Sequence, residues 1–155
     1  MNTDSGNHDP ILLAYSGGLD TSFCVPWLTE QTGRPVVTVT VNTGGLDDEA
    51  LAALDARSQA LGAIRHVTVD ARAEFFDQVL RYLIFGNVRR GHLYPLCVGA
   101  ERVLQAQTLA RTAQELGSST VAHGCTAAGN DQVLSLIHIS EPTRQLASSR
   151  MPSSA

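Results

Sequence analysis

Ile11–Tyr15 (ILLAY) is an unbroken apolar run that ends abruptly in Ser16-Gly17-Gly18, and a helix-compatible stretch begins at once. A short apolar run with no polar alternation suits a strand covered on both faces, which is the situation of a parallel sheet sandwiched by helices. The pattern then repeats. Phe23–Glu30 reads as a helix ended near Gly33, and the β-branched Val36–Val41 (VVTVTV) as a second strand closing at Asn42-Thr43-Gly44-Gly45. Asp48–Leu61 opens with acids that complement a helix dipole, carries Leu51, Leu54 and Leu61 on one face and stops at Gly62. His66–Ala71 reads as a third strand, Ala73–Phe85 as a helix with Phe76, Val79, Leu80 and Leu83 inward, and residues 86–92 as a connector. Gly99–Leu116 reads as a long helix with Val103, Leu104, Ala110 and Ala113 at core spacing and Gly117 as its stop; Thr120–Ala122 is the fourth strand. Strands that alternate with helices pair in parallel through right-handed crossovers. The expected fold is therefore α/β, a doubly wound parallel sheet.

At 155 residues, with 43% hydrophobic and 17% charged side chains, the chain has the size and composition of one domain able to bury a core. A net charge of −4 supplies no basic field for a nucleic-acid backbone. No run approaches the roughly 18 apolar residues of a membrane span, and residues 1–10 form a polar leader without the apolar stretch of a signal peptide, so neither membrane nor nucleic acid is an expected partner and a cytoplasmic setting is. Cys24, Cys97 and Cys125 have no C-x-x-C partner, and His66, His92 and His123 are not paired at ligand spacing, so no protein-held metal is expected.

Ligands of open parallel sheets bind at the carboxyl ends of the strands. Ser16–Ser22 lies at such an end. Gly17 and Gly18 open backbone conformations closed to other residues, the following helix contributes the positive end of its dipole, and Ser16, Thr21 and Ser22 add hydroxyls: together a cradle for an anion. Read by itself, S-G-G is as readily a plain glycine turn with Asp20 as helix N-cap; its place after a buried strand favours the cradle. The segment fits neither G-x-x-x-x-G-K-[ST] nor G-x-G-x-x-G. It resembles instead the S-G-G-x-D-[ST]-S pyrophosphate loop of the N-type ATP pyrophosphatases, and the longer stretch Ala14–Ser22 (AYSGGLDTS) is similar to the version found in the argininosuccinate synthase family.

A second signature, His123-Gly124-Cys125-Thr126-Ala127-Ala128-Gly129-Asn130-Asp131-Gln132-Val133, is ordinary turn chemistry when G-N-D-Q is taken alone, but the whole resembles the H-G-x-T-x-x-G-N-D-Q-V segment of the same family. Val41–Gly45 and Leu93–Leu96 with Ala100-Glu101-Arg102 resemble its adenine-side and citrulline-side segments. The resemblance implies the adenine nucleotide alpha hydrolase-like fold. It assigns ATP to Ala14, Tyr15, Ser16, Gly17, Gly18, Leu19, Asp20, Thr21 and Ser22 with Val41 and Gly124, citrulline to Tyr94 and Asn130, and aspartate to Thr126, Asn130 and Asp131. It further implies MgATP as co-substrate, a homo-oligomeric parent, and ATP-dependent ligation of citrulline to aspartate. The ureido oxygen is a poor leaving group until ATP adenylates it, after which the aspartate amine displaces AMP; the site needs orientation and charge stabilisation but no protein nucleophile. A stand-alone ATP-binding or regulatory module is the alternative; it would have no use for amino-acid-orienting groups. A tRNA thiolase of the same superfamily would want catalytic cysteines and a basic surface.

Some positions depart from the pattern. Pro26 falls about one turn inside the first helix, where a kink is expected; Gly99 stands in place of a hydroxyl residue, Ala127-Ala128 in place of Gly-Lys, and an arginine after D-Q-V is missing. From Leu134 onward, LSLIHISEPTR reads as a translated transposase-type sequencing adapter, and Ser149–Ala155 as its continuation after an index. The expected organisation is thus a leader over 1–10, an ATP-binding domain over 11–133 truncated after its fourth strand, and a non-native tail over 134–155, the fragment being inactive as a ligase by itself.

Overall fold

The computed structural model describes residues 9–87, 89–90, 94–95 and 97–125. Four strands, β1 (Ile11–Ala14), β2 (Val36–Asn42), β3 (Arg65–Asp70) and β6 (Thr120–His123), form one parallel sheet in the order β3-β2-β1-β6. The helices α1 (Leu19–Thr32) and α2 (Asp48–Ala60) link β1 to β2 and β2 to β3. A helical run, α3 (Arg72–Phe75), a π-helical turn (Phe76–Leu80) and α4 (Arg81–Phe85), then leads to a short antiparallel pair, β4 (Arg89–Arg90) with β5 (Tyr94–Pro95). From there α5 (Cys97–Glu115) returns the chain to β6, on the other side of β1. The expected doubly wound sheet is present, and its winding direction reverses between β1 and β6.

Strand pleating sorts the core into two layers. Ile11 and Leu13 of β1 and Val36 of β2 pack with Val25 and Leu28 of α1 and Leu54 of α2, whereas Leu12, Val37 and Val39 pack with Leu109 and Ala113 of α5. β2 also carries two buried threonines, and both are satisfied: Thr38 Oγ1 meets Ser58 Oγ of α2 at 2.5 Å and His66 Nδ1 at 2.8 Å, and Thr40 Oγ1 donates to the Tyr15 carbonyl at 2.7 Å. At the amino ends of β1 and β6, Asp9 receives Arg34 Nη2 at 2.8 Å and both the backbone N–H and the hydroxyl of Ser119, at 2.6 and 2.7 Å.

Several expectations need correction. Phe76 is half exposed, and its neighbour Phe75 is the buried one. Phe75 lies one helical turn beyond Ala71 and joins it against Leu104, and the π-helical turn that follows moves the apolar face out of the 3.6-residue period. On α5 the buried residues are Leu104, Ala106, Thr108, Leu109, Thr112 and Ala113, while Val103 is 40% exposed. The threonines look polar in sequence, yet Thr112 Oγ1 donates to the Thr108 carbonyl at 2.9 Å and is satisfied inside its own helix. α5 begins at Cys97, and the connector over 86–92 contributes the first strand of the small hairpin. α1 continues through Pro26, which lies on its exposed side, and ends at Gly33, whose φ of +65° closes the helix by a left-handed cap. No described helix is long and apolar enough to cross a membrane.

Candidate functional site

A cleft of about 550 Å³ opens at the carboxyl ends of β1, β2 and β6, where the winding reverses. Its phosphate-loop wall is Ala14, Tyr15, Ser16, Gly18, Leu19, Asp20 and Thr21; Val39, Thr40 and Val41 form its floor; His123, Gly124 and Cys125 close it on the β6 side. Thr43, Gly45 and Leu46, with Glu101, Arg102 and Gln105 of α5, line the remaining side. Of the eleven residues expected to hold the nucleotide, nine line this cleft; Gly17 and Ser22 stand behind its wall.

The loop is fixed at its root by bonds to β2. The Tyr15 N–H donates to the Val39 carbonyl at 2.9 Å, Thr40 Oγ1 holds the Tyr15 carbonyl, and the Tyr15 and Ser22 hydroxyls lie 3.4 Å apart. Gly17 is left-handed (φ +72°), and a Cβ there would run into the Leu54 side chain. Gly18, at φ −73° and ψ 171°, is ordinary extended backbone, and a Cβ would come only to 3.4 Å from Ser16 Oγ. The glycine requirement assigned to both positions therefore belongs to Gly17. Gly18 caps α1 without a side-chain hydrogen bond, leaving the helix N-terminus facing the cleft. Around it the Ser16 and Thr21 hydroxyls sit 3.3 Å apart, Gly18 N–H donates to Ser16 Oγ at 3.4 Å, and Thr21 Oγ1 donates to the Gly18 carbonyl at 3.3 Å. These are long bonds, easily exchanged for charge-assisted bonds to an anion. Gly124 brings the end of β6 against the same turn: a Cβ there would lie 2.9 Å from Thr21 Cγ2 and 3.3 Å from the Thr21 nitrogen.

The opposite wall carries side chains to which sequence reading assigned no role. Asn42 holds the loop after β2, accepting from Gly44 N–H at 2.9 Å and donating to the Leu46 carbonyl at 3.0 Å. Thr43 donates to Glu101 Oε1 at 2.6 Å, Gln105 Nε2 donates to the same oxygen at 3.1 Å, and Arg102 donates to Gln105 at 2.9 Å. Apart from Val41, residues 41–45 and 100–102 carry no individual role in the sequence reading, because a contact between Thr43 and Glu101 has no signature in sequence. Burial pushes His123 below its ordinary pKa, so its ring is neutral at pH 7; Nδ1 accepts from the Cys125 N–H at 3.2 Å, leaving Nε2 as the donor. Burial raises the Cys24 thiol, with the nearby Asp20 charge adding to the shift, so it is not a thiolate nucleophile. Tyr94 falls in β5; Thr126, Asn130 and Asp131 lie outside the described residues, as does the segment 134–155. Among the described residues no three His, Cys, Asp or Glu side chains converge as a metal site.

The sequence over residues 10–149 matches the model of the argininosuccinate synthase N-terminal HUP domain. The chain belongs to the argininosuccinate synthase family. Argininosuccinate synthases of Xylella fastidiosa and Xanthomonas axonopodis are each 43% identical to it, over 123 and 129 residues (79% and 83% of this chain), and that of Pyrobaculum aerophilum is 42% identical over 123 residues. The chain spans about 30% of the length of these relatives. Among solved structures, an NMN synthetase from Francisella tularensis superposes with a TM-score of 0.58 at 15% identity, covering 78% of this chain and 47% of its own, a likeness of fold alone. In this chain the A-Y-S-G-G-L-D-T-S segment runs from the last residue of β1 through the turn into the first turn of α1, and H-G-C begins at the last residue of β6.

Proposed function

We propose that this chain is the nucleotide-binding part of an enzyme that condenses citrulline with aspartate at the expense of ATP, giving argininosuccinate, AMP and pyrophosphate. The observation that carries the reading is the uncapped N-terminus of α1, set beside the Ser16 and Thr21 hydroxyls at the sheet's switch point and reached by Gly124 from β6. Ala14 to Ser22 would hold the triphosphate, with Val41 and Gly124 on the adenosine side. Tyr94 and Asn130 would hold citrulline; Thr126, Asn130 and Asp131 would hold aspartate. Mg²⁺ fits as an ion carried on the phosphates, which is how this hard cation is commonly bound, with Asp20 the carboxylate nearest the turn. It would neutralise the charge of the departing pyrophosphate, while the loop N–H groups and hydroxyls orient the phosphates and the β6-side residues orient the amino acids. A cytoplasmic, homo-oligomeric parent and a non-native segment over 134–155 belong to the same reading; the DNA downstream of the Val133 codon decides the latter.

Calorimetric titration of the chain should show MgATP bound in preference to GTP and NAD; equal competition by GTP overturns the assignment. The chain by itself should form no argininosuccinate, and measurable product would overturn that expectation. In the full-length parent, Asp131→Ala should raise the KM for aspartate about 10- to 100-fold, the effect of losing one hydrogen bond to a charged group, and leave the KM for ATP unchanged. An unaltered aspartate KM rejects that role.

A further inference from the structure

Arg57 lies outside the cleft wall, in the last turn of α2, yet its Nη1 donates to the Gly17 carbonyl at 2.8 Å across forty positions of sequence. Neither the loop motif nor the second signature contains it. We propose that Arg57 is a positioning residue for the phosphate loop, holding the Gly17–Gly18 peptide with its N–H toward the terminal phosphates of a nucleoside triphosphate. The inference rests on the nucleotide reading above and adds to it a residue and a mechanism.

In a planar trans peptide the carbonyl of one residue and the N–H of the next point in opposite directions. Pinning the Gly17 carbonyl on the α2 side therefore turns the Gly18 N–H to the other side, where it meets Ser16 Oγ, a group on the cleft wall. A peptide rotated the other way would present a carbonyl oxygen to the phosphates and repel them. Glycine at φ +72° has no side chain to resist that rotation, so something outside the loop must select the orientation. α2 is suited to do so. Leu54, one turn before Arg57 on the same face, lies directly beneath the Gly17 α-carbon, and the buried Ser58 anchors the helix to β2 through Thr38. The negative end of the α2 dipole also favours a cation at this position.

Wild-type chain, R57Q and R57K are titrated with MgATP, inorganic pyrophosphate and AMP, and their thermal unfolding is followed. R57Q should bind MgATP and pyrophosphate about tenfold more weakly, with AMP binding and the unfolding midpoint unmoved, and R57K should recover most of the loss. Wild-type affinity in R57Q overturns the assignment. So does an R57Q chain that loses all three ligands together or unfolds early, since Arg57 would then be a stability residue only. A wild-type chain that binds none of the three overturns the nucleotide reading itself, a result distinct from binding that is indifferent to Arg57.

Discussion

Gly17→Ala should cost the domain about 2–4 kcal/mol and destroy the geometry of the loop, although it adds a single methyl group. Two separate penalties combine. A left-handed conformation costs an L-residue about 1–2 kcal/mol, and the new Cβ would overlap Leu54 Cδ2 in the packed layer between sheet and α2. The loop has no slack with which to retreat, because Tyr15 is bonded to β2 through both its N–H and its carbonyl and Arg57 holds Gly17 from behind. Thermal unfolding should fall by roughly 5–15 °C for a domain of this size, with MgATP affinity lost in parallel. Shortening Leu54 to Ala in the same chain should make the Gly17→Ala step cheaper by removing the overlap while leaving the backbone penalty. Gly18→Ala is the control: at φ −73° with 3.4 Å to Ser16 Oγ, its stability should stay within about 0.5 kcal/mol of wild type, so any weaker binding reports the phosphate site alone. Equal unfolding midpoints for Gly17→Ala and wild type would show that the left-handed turn is not required.

That distinction between adjacent glycines marks the limit of what the sequence discloses. Strand and helix identity is local: Val36–Val41 is β-branched throughout, Asp47 caps α2 by accepting from Ala50 N–H, and Gly33 and Gly117 end their helices left-handed, each a short-range effect written in neighbouring residues. The switch point is legible as well, because the apolar ILLAY run fixes β1 in the interior and the glycine turn marks its carboxyl end. Choosing between Phe75 and Phe76 requires knowing where the π-helical turn falls, and ranking Thr108 and Thr112 as core requires knowing that their hydroxyls have partners within α5 or on Arg111. Arg57, Glu101 and Asp9 act through partners 40, 58 and 110 positions away. No periodicity encodes such pairs; the fold creates them.

Asp9 is the most consequential of these, and replacing it should destabilise the domain by about 1–3 kcal/mol at neutral pH. Its carboxylate accepts from Arg34, from the Ser119 N–H and from the Ser119 hydroxyl, and Arg34 spans the gap by donating also to the Asp9 carbonyl and to Thr120 Oγ1 at 3.0 Å each. The Arg34 and Asp9 side chains are only 13% and 16% exposed, so an alanine would leave the guanidinium without its carboxylate partner while it keeps the Asp9 carbonyl and Thr120, and the Ser119 N–H, on an exposed residue, would turn to water. The Ser119 bonds, with Arg34 adding to them, hold the Asp9 pKa below its ordinary 3.8. A carboxyl group with a depressed folded-state pKa stabilises the fold above its unfolded pKa and loses that contribution as pH falls through the folded value. Asp9→Asn should therefore lower the urea midpoint clearly at pH 7, and the gap from wild type should shrink below about pH 4 and vanish once Asp9 is protonated in both states. Asp70, held at about 2 by Arg72, and Glu74, held low by Arg111, also titrate in acid. They are present in both chains and cancel in the comparison. A gap that stays constant from pH 7 to pH 2 would mean that the charge of Asp9 is not what closes the sheet. The consequence reaches the cleft, because Asp9 and Ser119 precede the paired residues Ile11 and Thr120, and the same register brings Ala14 level with His123. Loosening the amino end of that pair should let Gly124 drift from Thr21, so Asp9→Asn should also weaken MgATP binding from the far end of the strands, at pH 7 but not once acid has released the latch in the wild type.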